Sequence, residues 1–179
     1  KTVLGLDVER ISGSGRYATS VAIAKKLGGN PKKAVIAYGE NFPDPLAIAP
    51  YAARQGYPIL LTESDRLSTV VRSHLNDIQE TIVVGGADVV SDKVKNELRG
   101  AKRYSGTDRF STATKIMEEL NMSTDMIFFA RGDGFADALT GSVLAAKENA
   151  PLLLVQQNRI LSGTLDSIRN ESDMNQFYL

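Results

Sequence analysis

The sequence predicts an α/β fold made of two tandem repeats, each a mainly parallel sheet flanked by helices, with the second repeat incomplete. Three observations predict it. A motif of eight residues at 10–17 recurs at 103–110. Short unbroken apolar runs alternate with stretches of helical periodicity. Glycine and proline separate the two kinds of segment. Strands that alternate with helices favour right-handed crossovers and a parallel sheet.

The two copies are related by one offset of 93 residues, which holds without a gap as far as Leu60 and Leu153 and shifts by two residues before the last strand. Matches this numerous at a single offset indicate a duplication. We assign residues 1–100 to the first repeat and 101–179 to the second. In the first copy a strand leads into Gly85-Gly86, and the second copy stops where that pair is expected. Besides the motif, the offset pairs Gly39 with Gly132, Phe42 with Phe135, Asp44 with Asp137, Leu46 with Leu139 and Pro58 with Pro151.

The first elements of the first copy follow a turn at 12–15. Residues 16–27 form a predicted helix because Tyr17, Val21, Ala24 and Leu27 share one face, and Gly28-Gly29 ends it. Residues 34–38 are an unbroken apolar run, as in a strand buried on both sides of a parallel sheet.

The remaining elements repeat this alternation in both copies. In the first copy we predict a helix at 45–55, a strand at 59–62, a helix at 68–77, a strand at 81–84 and a helix from 91 to 99. In the second copy we predict a helix at 109–120, a strand at 126–130, a helix at 138–147, and strands at 152–155 and 177–179. Each repeat then has the layout of a Rossmann-like or toprim-like unit.

Composition excludes several classes of function. The net charge is zero, without the overall basic balance typical of nucleic-acid binders, so we expect no nucleic-acid partner. No stretch is apolar enough for a membrane span. The chain has no cysteine and one histidine, which removes thiol catalysis and most zinc sites. We therefore predict a protein that is not an enzyme and that needs no cofactor or metal.

Three weaker catalytic or ligand signals have a structural alternative. His74 lies in mid-helix and its counterpart is Ser167, so a partly packed surface histidine is favoured over a catalyst. The run at 12–15 resembles a dinucleotide loop but lacks the third glycine of that fingerprint. Glu40 with Asp44, and Asp133 with Asp137, form one loose carboxylate pair in each copy, for which a metal site is the less favoured interpretation.

Paired arginines flank the turn before the first helix of each copy. Arg10 and Arg16 do so in the first copy, and Arg103 and Arg109 in the second. A guanidinium group is a planar, bidentate partner for phosphate or carboxylate, and a helix N-terminus adds amide donors. These arginines are therefore candidates for binding an anion. The alternative is internal pairing, of Arg16 with Asp44 and of Arg109 with Asp137.

Asp44 and Asp137 lie where the second helix of each copy is expected to begin. A carboxylate at that position accepts a hydrogen bond from the first turn and stabilises the helix by about 0.5–2 kcal/mol. We expect these two residues to act as helix caps or as ion-pair partners rather than as catalysts.

The motifs together resemble the cell wall binding repeat 2 family of Gram-positive, notably clostridial, cell wall and S-layer-associated proteins. The pattern is R-x-S-G-x-x-R-[YF], then G-x-x-F-x-D-x-L, then P-[IL]-L-L, then a strand ending in Gly-Gly. It is carried here by residues 10–17, 39–46, 58–61 and 84–86 and their second copies, and covers almost the whole chain. The resemblance implies tandem copies, usually three with pseudo-threefold symmetry.

The same resemblance implies a function and a location. It implies that the chain anchors a secreted protein to the bacterial cell wall by binding an anionic, teichoic-acid-like secondary polymer, without catalysis. The alternative is the targeting region of a wall hydrolase of the N-acetylmuramoyl-L-alanine amidase type. Further repeats of the same protein or of another chain are expected partners. The polymer-binding residues expected on this basis are Arg10, Ser12, Arg16, Arg103, Ser105 and Arg109.

Overall fold

The computed structural model describes residues 8–170 and, for the backbone alone, 176–178. Its first seven elements alternate between helix and strand. They are α1 (Arg16–Leu27), β1 (Lys33–Tyr38), α2 (Pro43–Gln55), β2 (Ile59–Thr62), α3 (Thr69–His74), β3 (Glu80–Val84) and α4 (Asp92–Asn96).

The second half repeats the alternation. Its elements are β4 (Lys102–Tyr104), α5 (Arg109–Glu119), β5 (Met126–Arg131), α6 (Ala136–Lys147), β6 (Leu152–Val155), α7 (Ser162–Asn170) and β7 (Gln176–Tyr178). Tandem α/β repeats with parallel sheets are therefore confirmed. The part of the predicted strand at Leu179 lies outside the described residues.

Two parallel sheets form the centre of the two halves. The first has the strand order β2-β1-β3-β4 and the second the order β6-β5-β7. The register is fixed by pairs such as Val35 with Ile59 and Phe128 with Leu152, which the repeat offset superposes. The short strand β4 lies beyond the predicted boundary at residue 100, yet it pairs with β3 of the first sheet.

Several predicted boundaries match the structure, and the exceptions have local causes. Helix α1 begins at Arg16 and ends before Gly28, whose φ of 71° is accessible to glycine. Helix α2 begins at Pro43, two residues earlier than predicted, because a proline is well suited to the first turn of a helix. Helix α3 ends at His74, where the chain enters a turn. Ser91 caps α4, since its side chain accepts a hydrogen bond from the Val94 amide.

One apolar core is shared by both halves. Val35 and Ile48 of the first half belong to the same buried cluster as Met117 and Leu153 of the second. Helix α2 packs against α5, α6 and β6, so its apolar face is covered by the other repeat. The apolar strand runs at 59–61 and 152–154 contribute Leu60 and Leu153 to the core, where both are fully buried.

Within residues 8–170 and 176–178, no helix combines the length and apolar character that crossing a bilayer requires.

Candidate functional site

The repeated arginine before each first helix ties that helix to the loop after the first strand of its copy. The Arg16 guanidinium donates to the carbonyl of Gly39 over 2.7 Å, and Arg109 donates to the carbonyl of Gly132 over 2.5 Å. The rings of Tyr17 and Phe110 lie against the same two glycines. The recurring R-[YF] and glycine are thus one packing unit, present in both copies.

The turn before each first helix is held in the same way. The amide of Gly13 donates to the Thr19 hydroxyl, and that of Gly106 to the Thr112 hydroxyl, both over 3.0 Å. The copies differ at the helix cap. Asp108 caps α5 by accepting from the Ser111 amide, whereas Gly15 at the equivalent position has no side chain to do so.

Arg103 is largely enclosed, with 15% of its side chain exposed. It donates to the carbonyls of Gly85 and Val90 over 2.6 and 2.7 Å and forms an ion pair with Asp92. It therefore fastens the loop after β3 to the start of the second repeat. Its predicted contact with a polymer stays a prediction, and its donors already have protein partners.

Arg10, the counterpart of Arg103, is exposed. Its side chain makes no hydrogen bond or ion pair to any residue in the described ranges. Ser12 is also exposed, and its counterpart Ser105 is half-buried beside β4. The structure therefore brings the predicted site residues into two separate groups, one at each copy's first turn.

The predicted helix caps at Asp44 and Asp137 are wrong. Helices α2 and α6 begin at Pro43 and Ala136, so both carboxylates are the second residue of the helix and neither makes a side-chain capping hydrogen bond. The earlier helix start, with Phe42 and Phe135 in the capping positions, is the physical reason. A carboxylate in the first turn still interacts favourably with the helix dipole.

The internal ion pairs considered as the alternative, Arg16 with Asp44 and Arg109 with Asp137, are not formed among the described residues. Arg16 pairs with Glu40 at 2.9 Å, because Glu40 lies in the same loop as the glycine that Arg16 contacts. Tyr17 donates to the other oxygen of Glu40, and burial together with this hydrogen bond raises the pKa of Tyr17 to about 12.

Asp44 instead faces the second repeat. Burial raises the pKa of Asp44, and the positive charge of Arg109 opposes part of that rise. Its carboxylate also lies against Gly85, where a β-carbon would come within 2.6 Å of Oδ2. Arg109 therefore acts on Asp44 across the repeat boundary. The 93-residue offset pairs equivalent positions of the two copies and does not predict this contact.

Asp44 and Arg109 line a cleft of about 210 Å³ between the two repeats. The first repeat contributes Asp44 at the start of α2 and Asp88 from the loop after β3, and the second contributes Asp108 and Arg109 at the start of α5. Backbone at Gly86 and Gly106 adds polar groups. The cleft therefore offers one guanidinium and several carboxylate oxygens to a ligand that carries both anionic and hydroxyl groups.

Sequence reasoning identified Arg109 and Asp44 but missed Asp88 and Asp108 as lining residues. The Gly-Gly pair before Asp88 was a usable signal, because loops at the carboxyl ends of parallel strands commonly form binding sites. The meeting of the two copies at this point depends on tertiary packing, which the repeat pattern does not contain.

A larger cavity of about 460 Å³ lies beside α6 and is mainly apolar. It is lined by Gly141, whose counterpart in the first copy is the fully buried Ile48. The missing side chain leaves part of this space unfilled, and the half-exposed Leu144 of α6 also lines it.

Within residues 8–170, no three His, Asp or Glu side chains are arranged so that they could hold a metal ion. His74 is half-buried on α3, and burial, followed by the charge of Lys25, lowers the pKa of its imidazole. Asp133, one of the loose carboxylates, is held by Arg131 over 2.8 and 2.9 Å.

Comparison with known proteins places these features in a family. The model of Cell wall binding domain 2 (CWB2) matches residues 10–95 and 103–178. Over 96% of this chain the sequence is 36% identical to N-acetylmuramoyl-L-alanine amidase LytC of Bacillus subtilis, and over 86% it is 39% identical to that organism's amidase enhancer. The chain spans 35% and 21% of the lengths of these relatives.

Two solved structures are similar over most of the chain. Cwp8 from Clostridium difficile has a TM-score of 0.88 and 27% identity over 97% of this chain and 31% of its own. Cwp6 from the same organism has a TM-score of 0.85 and 26% identity over 94% of this chain and 28% of its own.

Proposed function

This chain belongs to the cell wall binding domain 2 family, and from that premise we propose that it anchors a larger secreted protein to the wall by holding an anionic wall polymer. As a cell wall binding domain it is placed at the wall or cell surface. The chain itself performs no bond-making chemistry in this proposal.

The observation that carries the proposal is the duplicated arginine motif, whose second copy lies beside a cleft lined by residues of both repeats. Arg109 lines that cleft, Arg16 occupies the equivalent place in the first copy with half of its side chain exposed, and Arg10 is free of protein partners within the described residues. Guanidinium groups bind phosphate or carboxylate of the polymer in a bidentate manner. Asp44 and Asp88 accept hydrogen bonds from its sugar hydroxyls.

Ser12, Ser105 and Arg103 keep supporting roles in this proposal. Ser12 and Ser105 lie in the first turn of their copies, next to the arginines, and offer hydroxyl groups to the polymer. Arg103 shapes the cleft by holding the loop that carries Gly85 and Asp88.

Further repeats, of the same protein or of another chain, are proposed partners. The apolar face of α2 is covered by the second repeat, whereas its counterpart on α6 is open. Phe135, Leu139, Val143 and Leu144 on that face are 46–60% exposed. Several weak sites on one polymer raise the overall affinity by about 10²–10⁴ through effective concentration.

The relatives support a role as one part of a larger protein. Both named Bacillus subtilis relatives are about three times or more as long as this chain, and one is named as an amidase. We therefore keep, as the second candidate, that this chain is the targeting region of a wall hydrolase of the amidase type. Activity in such a protein would belong to the part outside this chain.

Sedimentation with purified walls tests the proposal. The chain should co-sediment with intact walls and should stay in solution when the secondary polymer has been removed chemically, because the arginines then lack their anionic partner. Rising salt should weaken binding, since exposed ionic contacts are screened. Equal retention on stripped peptidoglycan would contradict polymer binding. Release of soluble wall fragments by the chain alone would contradict the non-catalytic role.

A further inference from the structure

A groove of about 440 Å³ lies between α5 and α7 of the second repeat and adjoins the cleft between the repeats at Thr107 and Asp108. Its lining is rich in hydroxyl groups, from Thr107, Ser111, Thr114, Ser162, Thr164 and Ser167. We propose that this groove is a second binding site, one that takes a neutral sugar unit. The inference rests on the proposed function, because it assigns the sugar to the same wall polymer.

Four of the six hydroxyl groups are particular to the second copy, since Thr107 and Ser162 correspond to Ser14 and Thr69. The repeat offset places Thr114 on Val21 and Thr164 on Val71, and both valines are buried in the core of the first copy. Ser111 and Ser167 likewise correspond to Ala18 and His74. Valine and threonine have similar shapes, so the fold does not require hydroxyl groups at these positions.

Burying a hydroxyl group costs free energy unless it is hydrogen-bonded. Thr114 and Thr164 are 6% and 3% exposed, and their hydroxyls lie 3.2 Å apart, with Thr114 also donating to the carbonyl of Phe110. This pair forms a polar floor to the groove. A floor of this kind favours a polar ligand over an apolar helix or a lipid.

Unused hydrogen-bonding capacity remains at the groove wall. A hydroxyl group has one donor and two acceptor positions. Ser167 uses its donor on Glu118 over 2.6 Å, which leaves its lone pairs available. Ser162 is exposed at the rim and makes no side-chain hydrogen bond within the described residues. A polyol can donate a hydrogen bond to Ser167, and it can both donate to and accept from Ser162.

The charges of the groove are paired, which selects a neutral ligand. Lys115 and Glu118 form an ion pair at 3.0 Å, and the carboxylate of Asp108 is occupied in capping α5. Burial raises the pKa of Glu118, but the hydrogen bonds from Ser167 and Lys115 outweigh it and the net shift is downward. No cation is left over for an anion, and Leu161 supplies an apolar contact for the CH groups of a sugar ring.

Nuclear magnetic resonance titration of the whole chain tests the site. The probes are maltose, lactose and N,N′-diacetylchitobiose, with inorganic phosphate run separately. We expect at least one disaccharide to shift the amide signals of residues 114–118 and 161–167 in a saturable manner. Phosphate, which the proposed function places at Arg109, should leave the signals of these two ranges in place. Shifts caused by phosphate alone, or by no disaccharide, would overturn the proposal.

The double variant Thr114→Val/Thr164→Val recreates the apolar pair of the first copy, so it should fold. It should weaken disaccharide binding at least about fivefold, and Ser167→Ala should weaken it as well. Thr140→Val, on the exposed side of α6, is the matched control and should not change binding. Unchanged affinity in both groove variants would show that the sugar binds elsewhere.

Wall sedimentation separates this site from the anchoring role. If the groove variants lose disaccharide binding while walls are still bound through the arginines, both proposals stand. If walls are bound but no disaccharide enters the groove, this site is wrong and the anchoring role is unaffected. A disaccharide bound in the groove by a chain that ignores walls contradicts the assignment to a wall polymer.

Discussion

Arg103 and Arg10 occupy equivalent positions in the two copies but have opposite environments. Arg103 is enclosed and donates to two backbone carbonyls and Asp92, whereas Arg10 is exposed. The same residue in the same motif therefore stabilises the fold in one copy and is available to a ligand in the other. Environment, rather than residue type, decides which role an arginine of the motif takes.

Arg103→Met should lower the free energy of unfolding by about 2–4 kcal/mol, because it removes charge-assisted hydrogen bonds and leaves two carbonyls without a donor. Arg10→Met, the matched control, should change it by less than about 0.5 kcal/mol. Urea denaturation followed by circular dichroism measures both. Equal effects of the two substitutions would show that Arg103 does not fasten the loop.

Asp44 gives a prediction with a definite pH dependence. Its pKa in the folded state lies above the ordinary 3.8, because burial outweighs the attraction of Arg109. The ionised carboxylate therefore lowers stability at neutral pH, and this cost diminishes as the pH falls through the folded-state pKa and is absent below about 3.8.

Asp44→Asn removes the charge and keeps the shape, so it should raise the free energy of unfolding at pH 7. The advantage over the parent chain should disappear at pH 3.5. Asp137→Asn, at the exposed counterpart, is the control and should stay within about 0.5 kcal/mol of the parent. An advantage of Asp44→Asn that persists at pH 3.5 would contradict a cost arising from the charge.

At the scale of elements, the repeat pattern predicted most helices and strands but not their ends or the shortest members. Helix α1 and strand β2 have the predicted bounds because glycine ends the first and a continuous apolar run defines the second. Strand β4 was missed, since Lys102–Tyr104 is short and carries two charged residues. Helix α7 was missed too, because its sequence is largely polar.

The candidate site was predictable only in part for a related reason. The arginines and Asp44 could be found from the motif, since both copies contain them. Their partners could not, because Asp44 meets Arg109 across the repeat boundary and Arg16 pairs with Glu40. These contacts depend on how the repeats pack, and the sequence pattern within one copy does not predict that packing.

The contact between α5 and the loop after β5 can be tested with one added methyl group. A β-carbon at Gly132 would come within 2.6 Å of the Phe110 ring, whereas one at Gly134 would meet open space. Gly132→Ala should therefore cost about 1–3 kcal/mol, as overpacking does, and Gly134→Ala much less. Thermal unfolding compares them. Similar stabilities would show that the ring does not lie on this glycine.

At the scale of the whole molecule, the shared core makes the two repeats depend on each other. Met117 on α5 is 1% exposed and belongs to the same cluster as Val35 on β1. A domain boundary near residue 100 would divide the sequence motifs but not this core, and β4 pairs with β3 across that boundary. The repeats should therefore unfold together.

Met117→Ala should destabilise the chain by about 2–5 kcal/mol, as large-to-small changes in a core do. Because the core is shared, hydrogen exchange of the β1 amides in the first repeat should speed up together with that of the β5 amides in the second. Protection of β1 that is unchanged while β5 loses protection would show two independent folding units.

Wall affinity of arginine variants tests the central claim most directly. The triple variant Arg10→Gln/Arg16→Gln/Arg109→Gln removes three charges from the proposed contact surfaces, and Arg54→Gln/Arg66→Gln/Arg169→Gln removes three exposed charges elsewhere. Circular dichroism checks that both fold. The first should bind intact walls at least about tenfold more weakly, a loss of about 1.4 kcal/mol, and the second should bind within about twofold of the parent. A folded first variant that binds walls as the parent does would contradict attachment through these arginines.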